Sequence, residues 1–310
     1  MVQFEKNMES TIKSQSQAYK FALIAVFLWS TVATAFKYAL QYLSPEELVL
    51  LSSLTSLAAL FCVLIINKKL NQVLPYIKKN IKLVFILGLI NPFLYYLVLF
   101  KAYDYLPAQE AQAINYTWAL MLAFLSVPFL KQKLTFNDII AGIICYFGVL
   151  VISTKGEPFS LNFSNIDGVL LALFSTILWS LYWIFNTKAK GESTVMLFSN
   201  FLIATPVIII YFLLTQPLSI PNSSGVLAAV YVGLFEMGIT FLFWLKAMQN
   251  AENTSKIANL IFISPFMSLI FIYFILNEKI FISTLVGLAF IIVGLVIQQK
   301  RPKSSNKIAF

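Results

Sequence analysis

A chain of 310 residues that is 59% hydrophobic and 11% charged departs from soluble domains, which are about 45–50% apolar and about 25% charged, in the direction of lipid as the solvent. With no His and only two Cys, Cys62 and Cys145, each inside an apolar run, it is not expected to hold a zinc site, a disulfide framework or any cofactor. The net charge of +9 does not mark a nucleic-acid partner, because the basic residues gather in short loops between apolar runs.

Residues 1–19 are polar and are expected to be disordered or to lie at a membrane interface. Ten apolar runs follow, at roughly 20–40, 45–66, 82–101, 108–130, 136–153, 167–187, 195–214, 225–246, 256–276 and 281–298. A spanning helix needs about 20 mostly apolar residues, so the expected fold is an all-α integral membrane bundle of ten transmembrane helices. The first run contains Ala33-Thr34-Ala35, which imitates a signal-peptidase site. The apolar stretch continues past it to spanning length, so cleavage is not expected. A short basic tail, 300–310, closes the chain.

Orientation follows from Lys and Arg in short loops. With the N-terminus in the cytoplasm, only Lys37, Lys101, Lys155 and Lys279 fall outside, and the other 18 of the 22 basic residues lie inside. Both termini are then cytoplasmic, in a bacterial inner membrane. The run "KKLNQVLPYIKKNIK" (68–82) becomes a loop facing anionic headgroups.

The chain repeats itself. "FLWSTVATAFKYA" (27–39) precedes "ILWSLYWIFNTKA" (177–189) by 150 residues; "LFKA" (99–102) matches "WLKA" (244–247); and 131–152 matches 277–297 with one residue of slippage. The organisation expected is a first five-helix repeat at 20–153 and a second at 154–299. Five is odd, so the second half enters the membrane from the opposite side. Inverted repeats of this kind characterise secondary transporters, with the substrate site near the midplane. Ala141 and Gly148, and Gly287 and Gly294, recur seven apart on one helix face and read as close helix packing.

Polar residues inside apolar runs carry the chemistry. "AINYTWALML" (113–122) places Asn115, Tyr116, Thr117 and Trp118 in a row. On a helix, Gln112, Asn115, Trp118 and Ala119 share a face, and such a face turns inward in lipid. Trp179, Tyr182, Trp183 and Asn186 share another, as do Gly233, Glu236, Thr240 and Trp244, and Trp29, Ala33 and Lys37. Asn91, Pro92 and Tyr95 lie together on the third run. Glu236 is the one acid near the centre of a run, where an ionised side chain costs at least about 2.5–3.5 kcal/mol. Four roles fit it: ligand of a substrate ammonium, carrier of protons as a coupling ion, structural partner of Lys37, or a protonated carboxyl bonded to a backbone carbonyl. Glu110 and Asp104 are expected to be solvated at the outer interface. The expected substrate-binding residues are Trp29, Tyr95, Asn115, Trp118, Trp179, Trp183, Asn186, Glu236 and Trp244.

"KAYDYLPAQEAQAINYTWALMLAFLSVPFLKQKL" and "GLFEMGITFLFWLKAMQNAENTSKIANLIFISPFMSLIFIYFILNEKI" resemble corresponding segments in the two halves of EamA-type carriers of the drug/metabolite transporter superfamily. The resemblance covers nearly the whole chain. "INYTW" is similar to a segment of the YddG-like amino acid exporter branch, whose members follow the Trp with Pro where this chain has Ala119. That departure removes an expected helix bend. The branch also carries Glu where the first half here has Gln132; the second half keeps Glu278. The resemblance implies a basket in which helices 1, 3, 4, 6, 8 and 9 line a cavity and helices 5 and 10 lie outside it. Asn115 would bond the backbone of an amino acid and Trp118 would stack on its side chain. The expected activity is export of small metabolites, foremost neutral or aromatic amino acids, by alternating access with one half rocking against the other. Another cargo (a nucleobase, a vitamin or a drug-like cation) and a sensor without transport are the alternatives, and an enzyme is not expected. Whether the carrier is a monomer or a homodimer is left open.

Overall fold

The computed structural model describes residues 14–160, 163–252, 256–257 and 259–299. Among them, ten helical spans are long and apolar enough to cross a bilayer: α1 Gln15–Ala39, α2 Pro45–Ile66, α3 Leu70–Tyr105, α4 Ala108–Leu130, α5 Phe136–Ser153, α6 Ile166–Asn186, α7 Ser193–Thr215, α8 Ser223–Asn250, α9 Asn259–Leu276 and α10 Ile282–Gln299. The protein is a multi-pass membrane protein. Most of the polar leading segment, and the tail at 300–310, lie outside the described residues. The helix starts at Gln15, inside the segment expected to be disordered or interfacial, and the Ser14 side chain caps it by accepting the Gln17 N–H at 3.4 Å.

Local chemistry sets where spans begin and end. Ser44 and Glu47 form a reciprocal capping box at the start of α2, with Pro45 in the first turn, and Thr135 and Asp138 form one for α5. Asn165 caps α6 through Gly168 N–H at 3.0 Å. The exits of α4 and α9 are alike: Lys131 (φ 55°) and Asn277 (φ 52°) both turn in the left-handed region. They are separated by the same offset as Gly148 and Gly294, so backbone geometry repeats where the sequence repeats.

Three spans are interrupted near mid-length, and α9 is irregular at its start. α3 widens to a π-helical turn at Leu89–Leu94 around Asn91 (φ −140°, ψ 117°) and Pro92. α4 breaks at Tyr116–Thr117 and restarts at Trp118. α8 breaks at Glu236–Gly238 and restarts at Ile239. α9 opens with a 3-10 segment, Asn259–Ile263, before its α-helix begins at Ser264. The α4 break corrects the expectation that Ala119, in place of Pro, removes a bend. Thr117 supplies the interruption instead: its N–H and its hydroxyl both bond the Ile114 carbonyl, at 3.0 and 2.8 Å, which tightens the turn and leaves the next helix to start afresh.

The two halves interdigitate. The most extensive interfaces pair α5 with α10, α1 with α8 and α9, α3 with α6 and α7, α2 with α7 and α8, and α4 with α6, each joining one half to the other. In the α5–α10 pair the small residues lie back to back. A Cβ on Gly148 would strike the Gly287 carbonyl, one on Gly287 would strike the Gly148 carbonyl, and Gly294 sits over the Ala141 carbonyl and the Cys145 sulfur. The close-packing expectation for these positions therefore describes the observed seam.

Packing differs between the two ends. Call the end holding Gln15 near and the end holding Lys37 and Glu278 far. At the far end, residues 108–114 of α4 are all buried, and Tyr95–Tyr105 of α3 buries Tyr95, Tyr96, Leu97, Leu99, Phe100, Ala102 and Tyr103. Toward the near end, Ile239–Asn250 of α8 buries only Thr240 and Ala247. The bundle is tight at the far end and loosens toward the near one.

Candidate substrate site

At mid-bundle the interruptions converge on a carboxylate and a group of rings. Glu236 stands at the break in α8, and its Oε1 accepts the Tyr96 hydroxyl of α3 at 3.1 Å. Among the described residues Tyr96 is its one hydrogen-bond donor, so a carboxylate with about four lone-pair sites keeps acceptor capacity to spare. Glu236 is partly exposed while Tyr96 is 1% exposed. A carboxylate cannot turn that exposure toward lipid, so it opens on a cleft within the bundle.

Trp179 of α6 is the hub of the rings. It stacks on Tyr95 of α3 at 4.5 Å and on Tyr182 at 5.5 Å, and meets Trp118 of α4 edge-on at 6.4 Å, Trp183 at 5.9 Å and Phe241 of α8 at 6.2 Å. Phe241 carries the network on to Trp29 of α1 at 5.6 Å, and Trp29 meets Trp244 at 5.5 Å. Asn115 lies beside this group, its amide donating to the Ser175 hydroxyl at 3.0 Å; Ser175 in turn donates to the Ala172 carbonyl.

The restarts are tied to the first helix of each half. The Ser30 hydroxyl of α1 reaches Ser264 Oγ at 3.2 Å, and the Ser180 hydroxyl of α6 reaches the Trp118 carbonyl at 2.9 Å. Residues 118, 239 and 264 each begin a half-helix, whereas Tyr95 continues from the π-helical turn with its N–H bonded to the Ile90 carbonyl. Three half-helices thus start at mid-bundle, and each presents the positive end of its dipole there.

Of the expected site residues, the structure brings together Trp29, Tyr95, Asn115, Trp118, Trp179, Trp183, Glu236 and Trp244. Asn186 is the last residue of α6, one turn beyond Trp183, with the Ala189 N–H bonded to its carbonyl at 3.0 Å. Two turns of helix, about 10 Å, separate it from Trp179. The shared face expected for Gly233, Glu236, Thr240 and Trp244 does not form, because α8 breaks between them. Gly233 instead packs on the Ser52 carbonyl and Thr55 of α2, and the Thr240 hydroxyl turns back to the Phe235 carbonyl. Nor is Glu236 paired with Lys37, whose ammonium donates to the carbonyls of Tyr103, Asp104 and Leu106 at 2.6, 3.2 and 3.0 Å. Glu110, expected in solvent, is 4% exposed and accepts the Ser164 hydroxyl at 2.8 Å. Burial follows from the tight far end, where α4 has no face left over. Tyr96, Phe241 and Ser175 were not anticipated. Tyr96 directly follows Tyr95, and a phenol adjoining a site residue was the available signal.

Residues 16–154 and 166–298 each match the EamA-like transporter family. An uncharacterized transporter of Archaeoglobus fulgidus is 25% identical over 88% of this chain and 95% of its own length. The uncharacterized transporter YvbV of Bacillus subtilis is 24% identical over 92% of each chain. The aromatic amino acid exporter YddG of Ancylobacter novellus is 23% identical over 54% of this chain and 59% of its own length. A solved crystal structure superposes with a TM-score of 0.64 at 21% identity, covering 92% of this chain and 97% of the other; that likeness concerns the fold.

Proposed function

This chain belongs to the EamA-like transporter family, and from that premise we propose that it is a secondary carrier exporting neutral or aromatic amino acids across a bacterial inner membrane by alternating access. The observation that carries the reading is Glu236, bonded to Tyr96 at 3.1 Å and partly exposed inside the bundle, with Tyr96 against Tyr95, which stacks on Trp179 at the centre of the ring network. A free amino acid presents an ammonium, a carboxylate and a side chain. Glu236 suits the ammonium, the half-helix N-termini at Trp118 and Ser264 suit the carboxylate, and the rings suit an aromatic or aliphatic side chain. Trp29, Tyr95, Asn115, Trp118, Trp179, Trp183, Glu236 and Trp244 are the proposed binding residues. Protons are the proposed coupling ion, with Glu236 as their carrier.

Motion at the helix breaks fits this packing better than rocking of one half against the other. Rocking would part almost every large interface at once, since the halves interdigitate. Bending at residues 116–117 and 236–238 moves half-helices and leaves the α5–α10 seam whole. Orientation rests on the basic residues: a near end in the cytoplasm puts 18 of the 22 there, and the looser near end is then the side from which an exporter loads.

One observation favours a second reading. The carboxylate among rings, with no ammonium or guanidinium on it in the described residues, also suits an organic cation. Counterflow in proteoliposomes separates the two. Vesicles holding purified protein are loaded in turn with unlabelled phenylalanine, leucine, a nucleobase and a quaternary ammonium, and entry of the labelled compound is followed. Stimulation by the amino acids is expected. Stimulation by the ammonium or the nucleobase alone would overturn the amino acid reading.

A further inference from the structure

At the far end, the corner between α3 and α4 is fastened to the corner between α9 and α10. The Glu278 carboxylate accepts the Ala108 N–H at 3.0 Å, the Gln109 N–H at 3.3 Å and the Gln109 side-chain amide at 2.8 Å. The same amide donates to the Lys279 carbonyl at 2.9 Å. The Gln109 carbonyl oxygen accepts the Phe281 N–H at 3.1 Å and the Thr284 hydroxyl at 2.7 Å. Gln109 is 1% exposed and Thr284 2% exposed, so the Gln109 side of this contact is dry and its bonds hold strongly there, while Glu278 stays partly exposed. Lys37 of α1 grips the same corner from its other side through three carbonyls.

Every bond from Glu278 and Gln109 crosses from one half to the other, and they lie where the bundle is closed. The related position in the first half is Gln132, which follows left-handed Lys131 as Glu278 follows left-handed Asn277. The repeat therefore carries a carboxylate at one end and a carboxamide at the other. A carboxylate accepts several N–H bonds at once and takes them charge-assisted, whereas a carboxamide oxygen accepts them neutrally.

We propose that Glu278 and Gln109 form the latch of the far gate, and that the Glu278/Gln132 asymmetry biases the resting carrier toward the far-closed state. The latch rests on the alternating-access reading, in which the far end has to open in each cycle. Opening breaks the Glu278–Gln109 bonds and closing remakes them, so their strength sets how often the far end opens.

Electron–electron spin distances on the full chain test this without knowledge of the cargo. Nitroxides are placed at Tyr105→Cys and Ile282→Cys, two exposed positions on the two corners, in a background carrying Cys62→Ala and Cys145→Ala. The parent is expected to give one short distance. Glu278→Ala and the gentler Glu278→Gln are expected to add a long-distance population, raised at least tenfold for Ala. Lys101→Met, which breaks the Lys101–Glu46 ion pair inside the first half at this same end (2.9 Å), is expected to leave the distribution unchanged. Distances unaltered in folded Glu278→Ala and Glu278→Gln protein would overturn the latch, as would equal broadening by Lys101→Met. Counterflow on the same preparations keeps the two questions apart. A parent with no counterflow for any amino acid fails the cargo reading, while the distances still report on the gate.

Discussion

Glu236 and Tyr96 differ in how far sequence alone could place them. A lone acid in a spanning run demands an explanation, so Glu236 stood out. Tyr96 did not, because a phenol among Leu and Tyr residues reads as ordinary packing and its partner lies 140 residues away. The pair sets an order of effects. Glu236→Gln removes the charge that meets an ammonium and is expected to lower amino acid counterflow at least tenfold. Tyr96→Phe removes one hydrogen bond, worth about 1 kcal/mol, and is expected to weaken cargo affinity about fivefold, measured by calorimetric titration in detergent. An affinity unchanged in Tyr96→Phe would take the pair out of the site. Helical periodicity puts Asn186 on the face of Trp179, and since a face continues to the end of its helix, periodicity by itself does not tell which turns of it meet the site.

At the scale of the helices, composition was enough to find all ten spans, because spanning length and apolarity are global demands of the bilayer. The interruptions were legible unevenly. Pro92 announces the disturbance of α3, and Gly238 sits in the break of α8. The break at Tyr116–Thr117 has neither Gly nor Pro; it depends on a threonine bonding back to Ile114, which threonines in unbroken helices also do, as Thr205 does to Phe201 at 2.7 Å. The seam between α5 and α10 was readable, since small residues seven apart had one plain use. It also has a measurable strength. Gly287→Val forces a side chain against Ile152 and the Gly148 carbonyl, and overpacking of this kind costs roughly 1–3 kcal/mol. Thermal unfolding in detergent is expected to shift down by several degrees, with cargo affinity in the surviving folded fraction unchanged because the seam is remote from Glu236. An unshifted Tm would mean that the seam yields.

Across the whole molecule, the duplication was legible from three short matches, but its spatial meaning was not. Two halves in sequence suggest two bodies in space, and the structure mixes them: α1 lies against α8 and α9, α2 against α7 and α8, α3 against α6 and α7. This arrangement bears on how the protein is made. Spans leave the ribosome in order, so the first five enter the bilayer before the helices they pack against exist. Until then the buried carboxylate of Glu110, the amide of Gln109 and the Ser52–Ser53 stretch, all at most 4% exposed in the finished bundle, face lipid or whatever shields them. A chain truncated after residue 160 is therefore expected to insert and then be degraded within minutes in a pulse–chase experiment, and to persist when residues 161–310 are supplied as a second polypeptide. The nascent carrier spends half of its synthesis as a client of the membrane's quality-control machinery.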